Sequence, residues 1–232
     1  VTKSIYDANN SYGFDFATSN LKDGGSTYKI AIVLYVLKDS PAEEAGLKRG
    51  DWILGVNGSW GTIQDYDILR NGGSVSLQLG EVQGNGKGIV PTRIVTLNAS
   101  RTVEDTPFLK DSVYTYGNKR IGYLMYNHFA SGPDEYDYSD TSYNLYLQQL
   151  FEKFQSRNVN EFVLDLRYNG GGLVNCAQLL ASLLVRENVL GEPLCIMEYN
   201  DKNSNKNETL PLLKTTEVMA GNLNLQRLFV LT

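Results

Sequence analysis

Positive charge is scarce in this chain. Lys and Arg number 21 against 26 Asp and Glu, a formal net charge of −5. That balance excludes the basic footprint of a nucleic-acid binder or of a protein drawn to an anionic membrane. Long apolar runs are missing as well: none approaches the roughly 20 residues that a membrane span needs. The N-terminus lacks a signal-peptide pattern, as a mature chain stripped of its leader also would. Cysteine is limited to Cys176 and Cys195, too few for a disulfide framework. They form either one pair or two free thiols, and two free buried thiols are the expectation. His128 is the sole histidine, and with two distant cysteines it offers no recognisable metal-ligand spacing. No metal and no organic cofactor is expected.

What is present is a folded composition. Of 232 residues, 42% are apolar and 20% charged, enough for a core in one large domain or two modest ones. The 15 tyrosines are spread along the chain and define no repeat. Residues 12–17 alternate as a strand behind Gly13, Lys22-Asp23-Gly24-Gly25-Ser26 signals a hairpin, and residues 28–37 read as a buried strand. Residues 39–47 form a short helix: Asp39 or Ser40 caps it, Pro41 opens it and Gly46 ends it. Strands follow at 52–56, 74–79 and 92–97, with a short helix at 63–69 and an exposed glycine-rich loop at 80–88. Residues 101–111, polar and broken by Pro107, begin an interdomain linker. A new core strand starts at 121–126, and an acidic surface loop covers 131–141. Leu147, Leu150, Phe151 and Phe154 fall on one face of an amphipathic helix. Strands are expected again at 194–199 and 227–232, separated by a polar loop at 200–207.

The stretch that organises the chain is Glu161-Phe162-Val163-Leu164-Asp165-Leu166-Arg167-Tyr168-Asn169-Gly170-Gly171-Gly172, followed at once by a helix over 174–185. A strand that stops at a flexible loop and hands over to a helix is where α/β proteins bind ligands. Glycines let backbone N–H groups face a ligand without side-chain interference, and the helix N-terminus adds unpaired donors.

Two blocks carry a resemblance. Gly13-Phe14-Asp15-Phe16, with the run from Ser40-Pro41-Ala42 through Gly50-Asp51-Trp52-Ile53-Leu54-Gly55-Val56-Asn57-Gly58, resembles a PDZ domain. Asp165-Leu166-Arg167-Tyr168-Asn169 and its glycines resemble the D-L-R-x-N-x-G-G motif of the S41 peptidases, the carboxyl-terminal processing and tricorn-like enzymes. Ile121-Gly122-Tyr123-Leu124, then Phe129, resembles the strand that opens their protease domain. The implied fold is α+β passing to α/β. A PDZ domain, a small β-barrel with two short helices, takes residues 1–100 with its preceding strand. A linker takes 101–117, and 118–232 form the N-terminal part of a ClpP/crotonase-like α/β protease core.

That resemblance implies a serine endopeptidase with a lysine base in most members. A serine hydroxyl needs a base to take its proton, a lysine serves only when its pKa is lowered, and the attacked carbonyl needs fixed N–H donors. Gly171 and Gly172 match the paired glycines of the motif and are expected to form the oxyanion hole; Gly170 stands where many members carry proline. Asp165, Arg167 and Asn169 are expected to orient the loop. The small-residue serine motif and the lysine that follow a strand like 227–232 in the family are not in this sequence. The chain is therefore expected to be truncated before its nucleophile, with the Ser/Lys dyad outside it and the fragment alone inactive. Ser26-Thr27-Tyr28-Lys29 has S-x-x-K form but falls in the PDZ-like hairpin, and His128, beside the entering strand, is read as structural. The acidic run 134–140 is read as a solvated loop.

Gly13, Phe14, Asp15 and Phe16 are the candidate peptide-binding loop, with backbone N–H groups for a terminal carboxylate and a strand edge for the peptide behind it. The charge of Asp15 inside that loop weakens this reading. The expected partner is a protein or peptide with a free C-terminus, and not nucleic acid. Homo-oligomers and peripheral-membrane or lipoprotein association of the full-length protein remain open. The family's usual place is extracytoplasmic, in periplasm or cell envelope. The alternative function is a non-catalytic PDZ-containing binding protein whose glycine loop holds an acyl or phosphate group.

Overall fold

Alternating apolar residues and a run of turn signals build the first half of the chain as an antiparallel sheet. The computed structural model describes residues 10–23, 26–60, 68–82, 88–134, 137–218 and 221–232. They fall into two compact units, Lys3–Asp105 and Thr106–Thr232.

In the first unit, β1 (Phe14–Asp23) pairs antiparallel with β2 (Ser26–Val36), Asp23 lying opposite Ser26, so the hairpin falls where the glycine pair signalled it. The sheet continues through β3 (Trp52–Val56), β5 (Val75–Val82) and β6 (Ile89–Leu97) in the order β1-β2-β3-β5-β6, with β4 (Ser59–Trp60) paired to β3. Its core includes Ala31, Val33, Ile53, Leu77 and Leu97, all essentially without exposure. Helix α1 (Pro41–Glu44) is capped by Ser40 rather than Asp39: Ser40 Oγ accepts the Glu43 N–H at 3.1 Å and donates to Leu37 O at 2.7 Å. Gly46 takes φ +75° just past the helix, the conformation that ends it. The loop expected at 80–88 is shorter than its glycines suggested. Strand β5 runs on to Val82 and β6 begins at Ile89, because cross-strand pairing carries Gly80 opposite Pro91. The helix expected at 63–69 falls mainly outside the described residues, as do the hairpin glycines 24 and 25.

In the second unit, the stretch taken for linker holds a strand. Strand β7 (Phe108–Tyr116) pairs antiparallel with β8 (Lys119–Tyr126) from Phe108↔Tyr126 to Tyr116↔Lys119. Its polar residues are compatible with a strand because an edge strand needs only one apolar face. Strands β9 (Glu161–Asp165) and β12 (Leu228–Leu231) join in parallel, giving the order β12-β9-β8-β7. Parallel pairing demands crossovers, and α2 (Ser142–Ser156) and α3 (Val174–Leu184) supply them. Leu147, Leu150, Phe151 and Phe154 of α2 are buried as their spacing requires, against Phe162 and Leu164 of β9. Phe162 stacks on Phe151 with ring centroids 5.5 Å apart and meets Phe154 edge-on at 5.2 Å. Gly122 is obligatory opposite it, since a Cβ there would lie 2.6 Å from the Phe162 ring. Strands β10 (Pro193–Met197) and β11 (Glu208–Pro211) form a separate hairpin. α4 (Thr215–Val218) follows. Cys176 and Cys195 are unpaired. Cys176 is buried, but Cys195 is exposed on β10, so only one of the two meets the expectation of a buried thiol and the disulfide alternative is excluded.

Candidate active site

Strand β9 delivers a carboxylate to the end of the parallel sheet. Phe162 and Leu164 face the helices, which puts Asp165 on the other face, where its side chain has no exposure. A buried carboxylate needs partners. The Arg167 guanidinium donates to both its oxygens, Nε to Oδ1 at 2.9 Å and Nη2 to Oδ2 at 2.6 Å, while the Arg167 N–H reaches Oδ1 at 3.2 Å. Tyr123 of β8 adds a fourth donor, its hydroxyl 2.7 Å from Oδ2. The hydrogen bonds from Arg167 outweigh burial and hold the Asp165 pKa down to about 2. Burial, and then the bond to Asp165, push the Tyr123 hydroxyl up to about 12, so it stays a donor. Asp165 and Arg167 are thus tied to each other and to β8, and the turn that starts the glycine loop is fixed from below.

Asn169 fixes it from the side. Its Nδ2 donates to Tyr126 O at 2.9 Å, and its Oδ1 accepts the Gly171 N–H at 2.8 Å. The chain beyond β8 then pairs with the loop: Gly170 N–H donates to Asn127 O at 3.3 Å, Phe129 N–H to Gly171 O at 2.9 Å, and Leu173 N–H to Phe129 O at 2.6 Å. These bonds make a parallel bridge between Phe129 and Gly172. In such a bridge Phe129 bonds to the residues either side of Gly172, so the N–H of Gly172 itself points away from it. Gly171 and Gly172 both have positive φ, +99° and +131°. A Cβ on Gly172 would lie 2.8 Å from the Phe129 carbonyl carbon and closer still to its oxygen.

The two glycines expected to form an oxyanion hole therefore differ. Gly171 has its N–H committed to Asn169 Oδ1. Gly172 is the one whose N–H is turned outward, at the entrance to α3. His128 is half-buried between Asn127 and Phe129 on the strand extension. Among the described residues, no group of three or more His, Cys, Asp or Glu is placed to hold a metal ion.

A profile of peptidase family S41 matches residues 120–231, and a PDZ-domain profile matches residues 32–79. The chain belongs to the S41 peptidases. A putative S41 protease of Bacteroides fragilis of known structure is 39% identical, with TM-score 0.75, over 96% of this chain and 57% of its own. Carboxyl-terminal-processing peptidase 1, chloroplastic, of Arabidopsis thaliana is 26% identical over 178 residues, which make up 75% of this chain and 34% of the plant protein. The chain thus spans between a third and three-fifths of the length of these relatives.

The PDZ unit of this S41 chain carries the second expected site. Gly13, at φ +78°, packs where a Cβ would meet Ser40 Oγ at 2.7 Å, and its carbonyl accepts the Leu37 N–H at 2.8 Å. Phe14 pairs with Val36, and a β-bulge separates Asp15 from Phe16. Burial raises the Asp15 pKa, against the pull of the Phe16 backbone and of Arg70. Burial, then Asp15, pushes Asp105 up to about 7. Tyr123 and Phe129 entered the sequence reasoning only as part of the strand that opens the domain, without a role at the loop, and Asp105 did not enter it as a site residue. Only parallel register brings the first two to the loop, and nothing in the local sequence announces it.

Proposed function

We propose that this chain contributes the oxyanion-binding half of a serine endopeptidase. The observation that carries the reading is Gly172: its N–H faces outward from a loop pinned on the other side by Phe129, Asn169 and the Asp165–Arg167–Tyr123 network. A donor held before the reaction begins, at a position its own fold determines, is what stabilises a developing oxyanion. The serine nucleophile and its base come, in this reading, from outside the 232 residues. The PDZ unit holds a peptide substrate along the edge of β1. The protein works outside the cytoplasm, which fits the family and the chloroplast named for the plant relative. Among the described residues no helix is long and apolar enough to cross a membrane.

The test is cleavage of an unstructured fluorogenic peptide by the 232-residue chain and by an extended product of the same gene. Cleavage by the extended product alone is the expected result. Activity of the 232 residues by themselves would refute the placement of the nucleophile, and an extended product that binds peptide without cutting it would favour the binding-protein alternative.

A further inference from the structure

Asn followed by Gly is a chemically labile pair, because no side chain shields the backbone nitrogen that follows the Asn. That nitrogen, on losing its proton, attacks the Asn side-chain carbonyl carbon, closes a cyclic succinimide and expels ammonia. Water then opens the ring to Asp or isoaspartate. The sequence holds four such pairs: Asn57-Gly58, Asn71-Gly72, Asn85-Gly86 and Asn169-Gly170. The third lies outside the described residues. The fourth exists because Gly170 stands where many S41 members carry proline, whose nitrogen has no hydrogen to lose. In the folded chain every reacting group at Asn169 is tied. The nucleophile, the Gly170 N–H, donates to Asn127 O at 3.3 Å. The leaving amide Nδ2 donates to Tyr126 O at 2.9 Å, and the carbonyl Oδ1 accepts the Gly171 N–H at 2.8 Å. All three partners are backbone atoms, so no side-chain rotation frees Asn169; the loop itself must part from Tyr126 and Asn127. At each of the other two described pairs, one reacting group is tied to a described residue: Asn57 Oδ1 accepts the Ser76 N–H at 2.9 Å, and the Gly72 N–H donates to Ser100 Oγ at 2.9 Å. Asn57 and Asn71 are both exposed.

We propose that Asn169 is a deamidation site gated by the hydrogen bonds of the glycine loop. While the loop is closed the ring cannot form. Each local opening exposes Asn169 to a conversion that prevents the loop from closing again as before. Aspartate sets an acceptor against Tyr126 O, where the amide had placed a donor at 2.9 Å. Isoaspartate adds a carbon to the main chain just ahead of Gly170 and shifts the register that sets Gly172 opposite Phe129. The inference concerns the loop's own chemistry and stands whether or not the protein cleaves peptides.

Peptide mapping by mass spectrometry tests this on the full 232-residue chain, sampled during incubation in mildly alkaline buffer with and without urea. In urea the three described pairs are expected to convert at rates within about threefold of one another. In the native chain Asn169 should lag Asn71 by about tenfold or more. Gly172→Ala, which breaks the Phe129 bridge, should speed Asn169 by about tenfold and leave Asn57 and Asn71, in the other unit, within about twofold. Tyr123→Phe removes one bond to Asp165 without a clash and should speed Asn169 by a smaller factor. It carries the test if circular dichroism shows Gly172→Ala to be unfolded. Gly170→Pro removes the nucleophile and should abolish conversion at Asn169 even in urea. Asn169→Asp, one of the two products, should lower the urea midpoint seen by circular dichroism and leave the tryptophan transition in place. Native conversion of Asn169 as fast as that of Asn71 overturns the gating, as does an Asn169 rate unchanged in the folded loop variants. A wild-type midpoint in Asn169→Asp overturns the consequence for the loop.

Discussion

Replacing Gly172 by alanine should cost far more than replacing Gly171, although the two are neighbours in one loop. Both hold positive φ, so each substitution carries the strain of a sparsely populated backbone conformation, about 1–3 kcal/mol. For Gly171 that is the whole cost, because an added Cβ would meet nothing within 4 Å. For Gly172 the Cβ would run into the Phe129 carbonyl and must push the strands apart. The bonds from Phe129 N–H to Gly171 O and from Leu173 N–H to Phe129 O would be lost or weakened, each worth about 1 kcal/mol net. Gly172→Ala should therefore destabilise by about 3–5 kcal/mol, and Gly171→Ala by about 1–3. The chain offers an internal control. Trp52 and Trp60 are its two tryptophans and both lie in the PDZ unit, whereas α2 and α3 lie in the other. In urea titrations, Gly172→Ala should move the transition seen by circular dichroism at 222 nm and leave the tryptophan transition in place. Equal destabilisation by the two alanines, or a shift confined to tryptophan emission, would refute the bridge geometry.

Three other outcomes follow from named contacts. Asp165 has its pKa held at about 2 in the fold against 3.8 ordinarily. Its contribution, about 2 kcal/mol, is therefore complete above pH 4 and lost as the pH falls towards 2. Midpoints of urea unfolding measured by circular dichroism between pH 5 and 2 should show that loss in the wild type and not in Asp165→Asn. Iodoacetamide should modify exposed Cys195 in the native chain and reach Cys176 only on unfolding, since burial pushes that thiol up to about 11; two native modifications by mass spectrometry would contradict it. Ser40→Ala should cost about 1–2 kcal/mol, read this time in the tryptophan transition, because it removes both the α1 cap and a buried bond to Leu37 O. An unchanged tryptophan midpoint would count against that cap.

Local chemistry made much of this fold legible. The Ser40-Pro41 start of α1, the Asp23/Ser26 hairpin and the apolar face of α2 each follow from residues within one turn or one hairpin of each other. The D-L-R-x-N-G-G-G stretch announced the end of β9 and its loop for the same reason. What was hidden depends on distant pairing. Strand β7 looked like linker because half its residues are polar, and only its partner β8 makes it a strand. The roles of Gly171 and Gly172 could not be separated in sequence, since the difference lies in which of them lies opposite Phe129, more than 40 positions away. Tyr123 joins Asp165 through parallel register, and Asp105 joins Asp15 across nearly the whole length of the PDZ unit.

The central claim is that Gly172 supplies an oxyanion donor to a nucleophile that lies outside these 232 residues. Steady-state hydrolysis of a fluorogenic unstructured peptide tests it most directly, comparing the 232-residue chain, the extended gene product, and the extended product carrying Gly172→Ala. The expected result is hydrolysis by the extended product only, with kcat reduced about 10²–10³-fold by Gly172→Ala, whose displaced backbone moves the donor, at a temperature where circular dichroism at 222 nm shows the variant still folded. Hydrolysis by the 232-residue chain itself, or full kcat in the Gly172→Ala protein, would contradict it.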